Sequence, residues 1–349
     1  MKVHFRRTGA LVAAAVIGTL GLSACGNATN NATSGGGGGG ATAAATKLTV
    51  TFIPKNLGNP YFDTSDAGGK KAIEEFGGTY SEVGPQQASP DAQVQYINTA
   101  AQQRTSALVV SSNDPKAICD ALNQARKAGT KVVTFDSDAD PTCRDVFVNQ
   151  ATTEGIAKIQ VDLVTKAIGD SGEIAILSAS ANATNQNAWI DLMKQQLQSS
   201  HPNVSLVDVV YGNDDDQTSF DKTAALLQSH PNLKGIVSPT TVGVAAAARY
   251  LSTSDKKGKV YLTGLGTPNQ MRQYVKDGTV KAFALWNPAD LGYLAAYAGA
   301  ALASEIITGK EGDKFTAGKL GEFTVGKSGE VLLGEPFTYN ASNIDQFNF

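Results

Sequence analysis

The segment Leu48-Thr-Val-Thr-Phe-Ile53 is a run of apolar and β-branched residues, which predicts a buried β-strand. The residues over about Phe62–Phe76 have the pattern of a helix, and the same strand–helix order then recurs along the chain. Elements that alternate in this way indicate a parallel sheet with helices on both of its faces. The further strands of this first unit are expected near 80–83, 107–110, 131–135 and 146–148, and the further helices near 90–103 and 115–128.

A second unit of the same kind follows. Its predicted helices lie at about 153–168, 185–199, 217–228, 242–251 and 268–276, and its predicted strands lie at 173–177, 204–210, 235–237, 259–263 and 281–285. A long helix near Asp290–Ile307 and a glycine-rich β tail complete the chain. Because 349 residues suffice for about two domains, the pattern predicts an α/β protein with two doubly wound parallel-sheet lobes and a ligand cleft between them.

The composition excludes several classes of function. Hydrophobic residues make up 42% of the chain, so a largely disordered protein is not expected. The formal net charge of −3 lacks the basic footprint of nucleic-acid binding, and no nucleic-acid partner is expected. Three histidines and three cysteines cannot build a histidine-rich metal site or a four-cysteine zinc site. We therefore expect no metal, no cofactor and no catalytic residues.

The N-terminus has the pattern of an export signal. Lys2, Arg6 and Arg7 precede an apolar run from about Ala10 to Leu22, and residues 1–24 contain no acidic residue. Residues 1–24 are interpreted as a signal peptide rather than a membrane span, which needs ~20 apolar residues. The motif Leu22-Ser-Ala-Cys25 resembles the lipobox of bacterial lipoproteins, which implies lipidation at Cys25. Residues 25–46 contain six consecutive glycines and are expected to form a flexible linker.

After export, Cys119 and Cys143 are the two cysteines that remain beside the anchor. They stand 24 positions apart, in a compartment where disulfides persist. A disulfide between them is expected, with two free buried thiols as the alternative. Closing a loop of this size contributes about 3–4 kcal/mol in the chain-entropy model.

Polar and aromatic side chains collect at the carboxyl ends of the predicted strands, where open parallel sheets bind ligands. Lys55, Tyr61 and Phe62 follow the first strand, Asn113 follows the third, and Asp136 follows the fourth. Helix capping explains any one serine or asparagine about equally well, but it does not explain Lys55 or the aromatic pair. Amides and carboxylates suit vicinal hydroxyls, and flat rings suit the C–H face of a sugar. A carbohydrate ligand is therefore indicated.

From Lys47 to Phe349 the chain resembles the type I periplasmic sugar-binding proteins of ABC importers, in the branch that holds rhamnose-binding and autoinducer-2-binding proteins. The motifs that carry the resemblance are Phe52-Ile-Pro-Lys55, Thr134-Phe-Asp-Ser-Asp138, Thr184-Asn-Gln-Asn-Ala-Trp189, Thr267-Pro-Asn-Gln-Met271, Phe283-Ala-Leu-Trp-Asn-Pro288 and Asn343-Ile-Asp345. The spacing of the two cysteines is also similar to a pair in autoinducer-2 binders. The resemblance implies the type I periplasmic binding protein fold, with two lobes joined by a three-segment hinge.

The resemblance also implies a set of ligand-binding residues. In autoinducer-2 binders a lysine, an aspartate, an Asp-Gln pair, a proline and an alanine hold the ligand. The corresponding residues here are Lys55, Asp136, Asn185, Gln186, Pro239 and Thr241, and the expected site also includes Tyr61, Phe62, Asn113 and Trp286. Position 185 has lost a charge and position 241 has gained a hydroxyl, which counts against autoinducer-2. The motifs Thr184-Asn-Gln-Asn-Ala-Trp189 and Ser238-Pro-Thr-Thr-Val-Gly243 are more similar to the rhamnose-binding side of the branch.

The expected function is that of an exported lipoprotein, anchored at the outer face of the cell membrane or in the periplasm. It would bind a monosaccharide as a monomer and deliver it to the permease of an ABC transporter, with L-rhamnose as the expected ligand. The alternative is binding of autoinducer-2 or of another pentose, deoxyhexose or polyol, in uptake or sensing.

Two other classes of function fit the sequence less well. Asp136 and Asp138 could suggest a glycosidase, but its carboxylates flank the scissile bond from two sides, whereas neighbours on one strand end approach from one side. A lactose-repressor-like regulator needs an N-terminal helix-turn-helix where this chain has a signal and a glycine run.

The resemblance further implies three crossings between the lobes, which we expect near 150–153, 285–287 and 316–320. The first lobe would then hold residues 47–150 and 288–315, and the second lobe 151–285 and 316–349.

Overall fold

The computed structural model describes residues 47–349. The predicted signal peptide (1–24), the predicted linker (25–46) and the proposed lipidation site Cys25 lie outside the described residues. Among residues 47–349, no helix has both the length and the apolar character that crossing a membrane requires.

Strands and helices alternate along the described chain, as the sequence predicts. The strands are β1 (Thr49–Ile53), β2 (Thr79–Glu82), β3 (Ala107–Val110), β4 (Lys131–Phe135), β5 (Val146–Asn149), β6 (Gly172–Ser178), β7 (Val204–Tyr211), β8 (Leu233–Ser238), β9 (Tyr261–Gly264), β10 (Ala282–Leu285), β11 (Lys314–Thr316), β12 (Glu322–Thr324), β13 (Glu330–Leu332) and β14 (Phe337–Asn340). The helices are α1 (Pro60–Glu75), α2 (Pro90–Gln102), α3 (Cys119–Lys127), α4 (Thr153–Ile168), α5 (Thr184–Ser200), α6 (Asp216–Ser229), α7 (Thr241–Thr253), α8 (Pro268–Lys276) and α9 (Pro288–Ala303).

Two parallel sheets form the framework. The first has six strands in the order β13-β5-β4-β3-β1-β2, and the second has four in the order β7-β6-β8-β9. Strands β10 and β14 pair antiparallel, and a bridge between Leu265 and Ala284 joins β10 to the segment that follows β9. Strands β1, β3 and β4 are buried along nearly their whole length, because helices cover both faces of the first sheet.

Helices α1 and α9 pack against each other closely enough to require glycine. A Cβ atom at Gly68 would lie 1.9 Å from the carbonyl oxygen of Ala289, and one at Gly292 would lie 1.7 Å from that of Ser65. Tyr61 lies at the N-terminus of α1, and Trp286 lies just before the N-terminus of α9. The glycine contact therefore brings the two aromatic residues close together.

Helix α9 ends four residues before the predicted Ile307. Glu305 adopts a left-handed φ of 58°, its N–H bonds to the carbonyl of Leu302, and the N–H of Ile306 bonds to that of Ala301. This is the Schellman arrangement, which closes a helix with a left-handed residue. The same arrangement ends α3 at Gly129, as the sequence predicts.

The C-terminal segment differs from the predicted course. Strands β11 and β12 form a hairpin, and β13 then joins the first sheet beside β5, where Asn149 Nδ2 donates to Glu330 Oε1 at 2.7 Å. The chain reaches the second sheet only at β14. The third crossing thus lies between Leu332 and Phe337 and not near 316–320, and β13 belongs to the first lobe. The remaining lobe boundaries stay a prediction.

A disulfide links Cys119 to Cys143, with 5.2 Å between the Cα atoms. It joins the start of α3 to the segment after β4, the strand that carries Asp136 at its carboxyl end. The predicted pairing is present in the structure.

Candidate functional site

A cavity lies where the carboxyl ends of strands from the two sheets meet. Its volume is about 40 Å³, which is room for a few ordered water molecules. Its wall is formed by Lys55, Asn59, Tyr61, Phe62, Asp136, Asn185, Gln186, Trp189, Asp214, Pro239, Thr240, Thr241, Leu265, Leu285 and Trp286.

Asp136 is the centre of the polar network on the first-lobe side. Its Oδ2 lies 3.6 Å from Lys55 Nζ, and the two side chains are only 8% and 6% exposed. Tyr61 donates its hydroxyl to Asp136 Oδ1 at 3.1 Å, and Ser111 donates to Oδ2 at 2.8 Å. A buried charge held by an opposite charge and two hydrogen bonds is fixed in place, so this wall is ordered before any ligand arrives.

The backbone at Asp136 is also unusual. Its φ is 60°, and the N–H of Ser137 bonds to the carbonyl of Phe135 at 2.6 Å, which closes a three-residue γ-turn. This conformation is strained for a residue other than glycine, and strained backbone of this kind is typical of ligand-binding sites.

Four aromatic residues form one side of the cavity. Trp286 Nε1 donates to the Tyr61 hydroxyl at 3.0 Å, and the rings of Phe62 and Trp189 meet those of Tyr61 and Trp286 edge to face. Burial, followed by the charge of Asp136, raises the pKa of Tyr61 well above its ordinary value. The phenol therefore remains a neutral donor to Asp136 at physiological pH.

The second-lobe side is built on the N-termini of α5 and α7. Asn185 Nδ2 donates to the carbonyl of Asp136 at 3.3 Å, which connects the two walls. Gln186 Oε1 accepts from Ser178 Oγ at 2.6 Å and from the N–H of Ala179 at 2.8 Å. Neither helix has a side-chain cap, so backbone N–H groups at both N-termini are available as hydrogen-bond donors.

Of the ten side chains predicted for the site, Asn113 is the one that the structure places outside the cavity wall. Its Nδ2 donates to the carbonyl of Lys55 at 2.9 Å, and its own N–H donates to Gln93 Oε1 at 2.9 Å. Asn113 therefore orients the loop that carries Lys55. Its contact with a ligand stays a prediction.

Asp138 also lies away from the cavity. Arg144 holds both of its carboxylate oxygens, at 2.7 and 2.8 Å. Asp136 and Asp138 thus do not face one site, and they do not form a pair of catalytic carboxylates.

Sequence reasoning missed six residues of the wall: Asn59, Trp189, Asp214, Thr240, Leu265 and Leu285. Asn59 is the N-cap of α1, where its side chain accepts from the N–H of Tyr61. Asp214 follows β7 in a run of three aspartates that resembles an ordinary polar turn. Its position after a strand of the second sheet was the one available signal.

Comparison with known proteins agrees with the fold. The family model described as a periplasmic binding protein domain matches residues 50–310. A sugar ABC transporter protein from Actinomyces odontolyticus is 56% identical, with a TM-score of 0.71, over 86% of this chain and 98% of that chain. An ABC transporter solute binding protein from Clostridium phytofermentas with bound L-rhamnose is 40% identical, with a TM-score of 0.84, over 86% and 98% of the two chains. LsrB from Clostridium saccharobutylicum in complex with AI-2 is 29% identical, with a TM-score of 0.82, over 86% and 100%.

The chain belongs to the periplasmic binding protein family and is a type I sugar-binding protein of an ABC importer. The predicted family and fold class are confirmed. Proteins of this kind are extracytoplasmic, work with permease components and are not enzymes.

Proposed function

We propose that this protein captures L-rhamnose and delivers it to the permease of its ABC transporter. The observation that carries the proposal is the buried pair of Lys55 and Asp136 in the cavity wall. Their opposite charges offer strong donors and acceptors to hydroxyl groups while nearly cancelling each other's field. A neutral polyhydroxylated ligand suits such a wall better than an anion does.

The apolar part of the wall supports a deoxy sugar. Leu265, Leu285 and Trp189 line the cavity together with Trp286. These side chains cannot replace the water that a hydroxyl loses on binding, but they can cover a methyl group and the C–H face of a ring. L-rhamnose carries both features. The relative with bound L-rhamnose, at 40% identity, is consistent with this assignment.

The proposed roles of the individual residues follow from their contacts. Lys55 and Asp136 bind hydroxyls, while Tyr61, Phe62 and Trp286 cover the ring. The second-lobe residues Asn185, Gln186, Pro239 and Thr241 complete the site when the lobes close.

Autoinducer-2 is the second candidate ligand. The relative in complex with AI-2 has a TM-score of 0.82 to this chain. Two residues count against this ligand: autoinducer-2 binders have an aspartate where this chain has Asn185 and an alanine where it has Thr241. A related pentose, deoxyhexose or polyol is a further possibility that the same experiment examines.

We also propose that Cys25 carries a lipid anchor and that the mature protein works as a monomer at the outer face of the membrane. The lipobox-like motif and the glycine-rich linker support the anchor. Stable anchoring requires more than one acyl chain, so the mature cysteine would carry at least two.

A thermal-shift screen of residues 47–349 tests the ligand. L-rhamnose, related monosaccharides and autoinducer-2 are compared in excess, because a ligand at about 100 times its dissociation constant adds about 2.7 kcal/mol to the free energy of unfolding. We expect the largest shift with L-rhamnose, and calorimetry should give one site of roughly micromolar affinity, about −8 kcal/mol. A larger shift with another compound would replace L-rhamnose, and turnover of any sugar to a product would end the receptor assignment.

A further inference from the structure

The turn after β7 directs a carboxylate into the cavity from the second-lobe side. Asn213 and Asp214 both have left-handed φ values, of 56° and 50°, and the N–H of Asp215 bonds to the carbonyl of Gly212 at 3.0 Å. Two successive left-handed residues closed in this way form a type I′ turn, which asparagine and aspartate tolerate. Asp214 thus occupies its position through a specific backbone conformation and not as a loose surface acid.

The turn is fastened to the same backbone that positions Gln186. The N–H of Gly212 bonds to the carbonyl of Ser178 at 2.8 Å, and that of Asn213 bonds to Ala179 at 2.7 Å. Ser178 and Ala179 are also the groups that donate to Gln186 Oε1. The carboxylate of Asp214 is therefore held rigidly with respect to the rest of the second-lobe wall.

One oxygen of this carboxylate has a partner and the other does not. Thr240 donates its hydroxyl to Asp214 Oδ1. Within residues 47–349, no hydrogen bond or ion pair engages Oδ2, although Asp214 lines the cavity. Asp214 is not the helix cap, because its neighbour Asp215 takes that role by accepting from the N–H of Thr218.

Lys55 acts on Asp214 across the cavity. Burial raises the pKa of Asp214, the positive charge of Lys55 opposes that rise, and the negative charge of Asp136 adds to it. Lys55 therefore influences a carboxyl group on each side of the cleft. The carboxyl group of Asp214 gives the second-lobe wall an acceptor that a hydroxyl can satisfy.

We propose that Asp214 is a specificity-determining residue whose Oδ2 accepts a hydrogen bond from one hydroxyl group of the bound monosaccharide. The inference rests on the proposed function, since it assumes a sugar in the cavity. It adds a second-lobe carboxylate to the contacts that the first lobe makes through Asp136. A ligand that lacks the relevant hydroxyl leaves Oδ2 of Asp214 without a partner in the closed cavity, which penalises that ligand.

The test combines protein and ligand changes in a double-mutant cycle. Calorimetry measures the affinity of wild type and Asp214→Ala for L-rhamnose and for each of its single-deoxy analogues. Asp216→Asn is the matched control, because this exposed aspartate pairs with Arg249 outside the cavity. Thermal unfolding without sugar shows whether each variant is folded, and Asp214→Asn, which keeps the shape of the side chain, replaces the alanine variant if that one is unstable.

We expect Asp214→Ala to weaken L-rhamnose binding by about tenfold to a hundredfold, because a hydrogen bond to a charged group is lost. One deoxy analogue should bind wild type as weakly as L-rhamnose binds Asp214→Ala. The same analogue should bind Asp214→Ala no more weakly than it binds wild type. Asp216→Asn should bind L-rhamnose like wild type. Unchanged affinity in both Asp214 variants, or additive losses for every analogue, would overturn the inference while leaving the receptor assignment intact. Failure of wild type to bind L-rhamnose would instead remove the proposed function, and the inference with it.

Discussion

The two walls of the cavity are built differently. On the first-lobe side, Lys55, Tyr61 and Ser111 all converge on the carboxylate of Asp136, so a single network fixes the polar groups. On the second-lobe side, the amides of Asn185 and Gln186 and the N-termini of α5 and α7 are neutral, and Asp214 is anchored by Thr240 alone. The first wall is thus prepared to bind, whereas the second gains its main contacts by closing on a ligand.

This contrast explains how a sugar could favour the closed form. A direct hydrogen bond from Asn185 Nδ2 to the carbonyl of Asp136 joins the two walls in this structure. A ligand that bonds both walls adds contacts only in the closed arrangement, and that differential affinity shifts the population toward it.

Asp136→Ala is the substitution that we expect to weaken ligand binding most. The change removes the centre of the first-wall network and leaves Lys55 without its counter-charge, so we expect binding to fall by about 150-fold to 5,000-fold, equivalent to about 3–5 kcal/mol. Asn185→Ala on the second wall should cost only about fivefold to tenfold. Calorimetry measures both, and thermal unfolding verifies that the variants are folded. Near-native affinity in Asp136→Ala would remove this residue from the site.

The disulfide is a second difference between the two sides, because it supports the segment that follows Asp136. Replacing both Cys119 and Cys143 by serine should lower the free energy of unfolding by about 3–4 kcal/mol, from the entropy of the reopened loop. Urea unfolding measures this loss. Sugar affinity in the folded double variant should stay within about a factor of two, and a large loss of affinity would mean that the bridge shapes the site itself.

Asp66, in α1 of the first lobe, is a buried carboxyl group that lowers the stability of the folded state at neutral pH. The side chain is fully buried in α1, Ser65 donates to one oxygen at 2.8 Å, and the other oxygen has no hydrogen-bond partner. Burial, aided by the negative charges of Glu82, Asp63 and Asp136, raises the pKa of Asp66 well above its ordinary value. The folded state therefore holds this proton more tightly than the unfolded state does.

Linkage then gives the sign of the pH dependence. The stability contribution of Asp66 is complete below the unfolded pKa of about 3.9 and falls as the pH rises through the raised folded value. Asp66→Asn should thus stabilise the protein by about 1–2 kcal/mol at pH 7 and have almost no effect near pH 4. Unfolding curves across that pH range measure the difference, with Glu74→Gln on the exposed face of α1 as control. A destabilised Asp66→Asn at pH 7 would show that the carboxylate is paired after all.

The smallest expected effect concerns the aromatic side of the cavity. Trp286 is 4% exposed and lies at the predicted second crossing, whereas Trp189 belongs to α5. Sugar binding should change the intrinsic fluorescence in a saturable manner, and Trp286→Phe should reduce the change more than Trp189→Phe does. The loss of the bond to Tyr61 should weaken affinity by about fivefold. An equal fluorescence change in wild type and Trp286→Phe would show that Trp286 does not report closure.

Local sequence patterns were enough to predict many of the helices and strands and the main polar residues of the first wall. Helices α4 and α8 have the predicted bounds, and Lys55 and Asp136 could be found because each follows a strongly apolar strand. The same patterns could not reveal β13, whose three residues pair with β5 from a distance of about 180 positions along the chain. Strand pairing of this kind depends on tertiary contacts and leaves no local period.

The second wall was harder to predict for a related reason. Asp214 reaches the cavity through a left-handed turn, and its sequence context is indistinguishable from that of a solvated acidic loop. Asn113 follows a strand in the expected place, but its Nδ2 donates to the carbonyl of Lys55 and its side chain is not part of the cavity wall. Which polar groups are already paired is a property of the packed molecule.

Small-angle X-ray scattering of residues 47–349, with and without saturating L-rhamnose, tests most directly whether the two walls close on one sugar. The account predicts that the sugar shifts the scattering profile toward the one calculated from this structure, and that the shift saturates with the affinity measured by calorimetry. Identical profiles in the two conditions, while calorimetry shows the sugar bound, would contradict it.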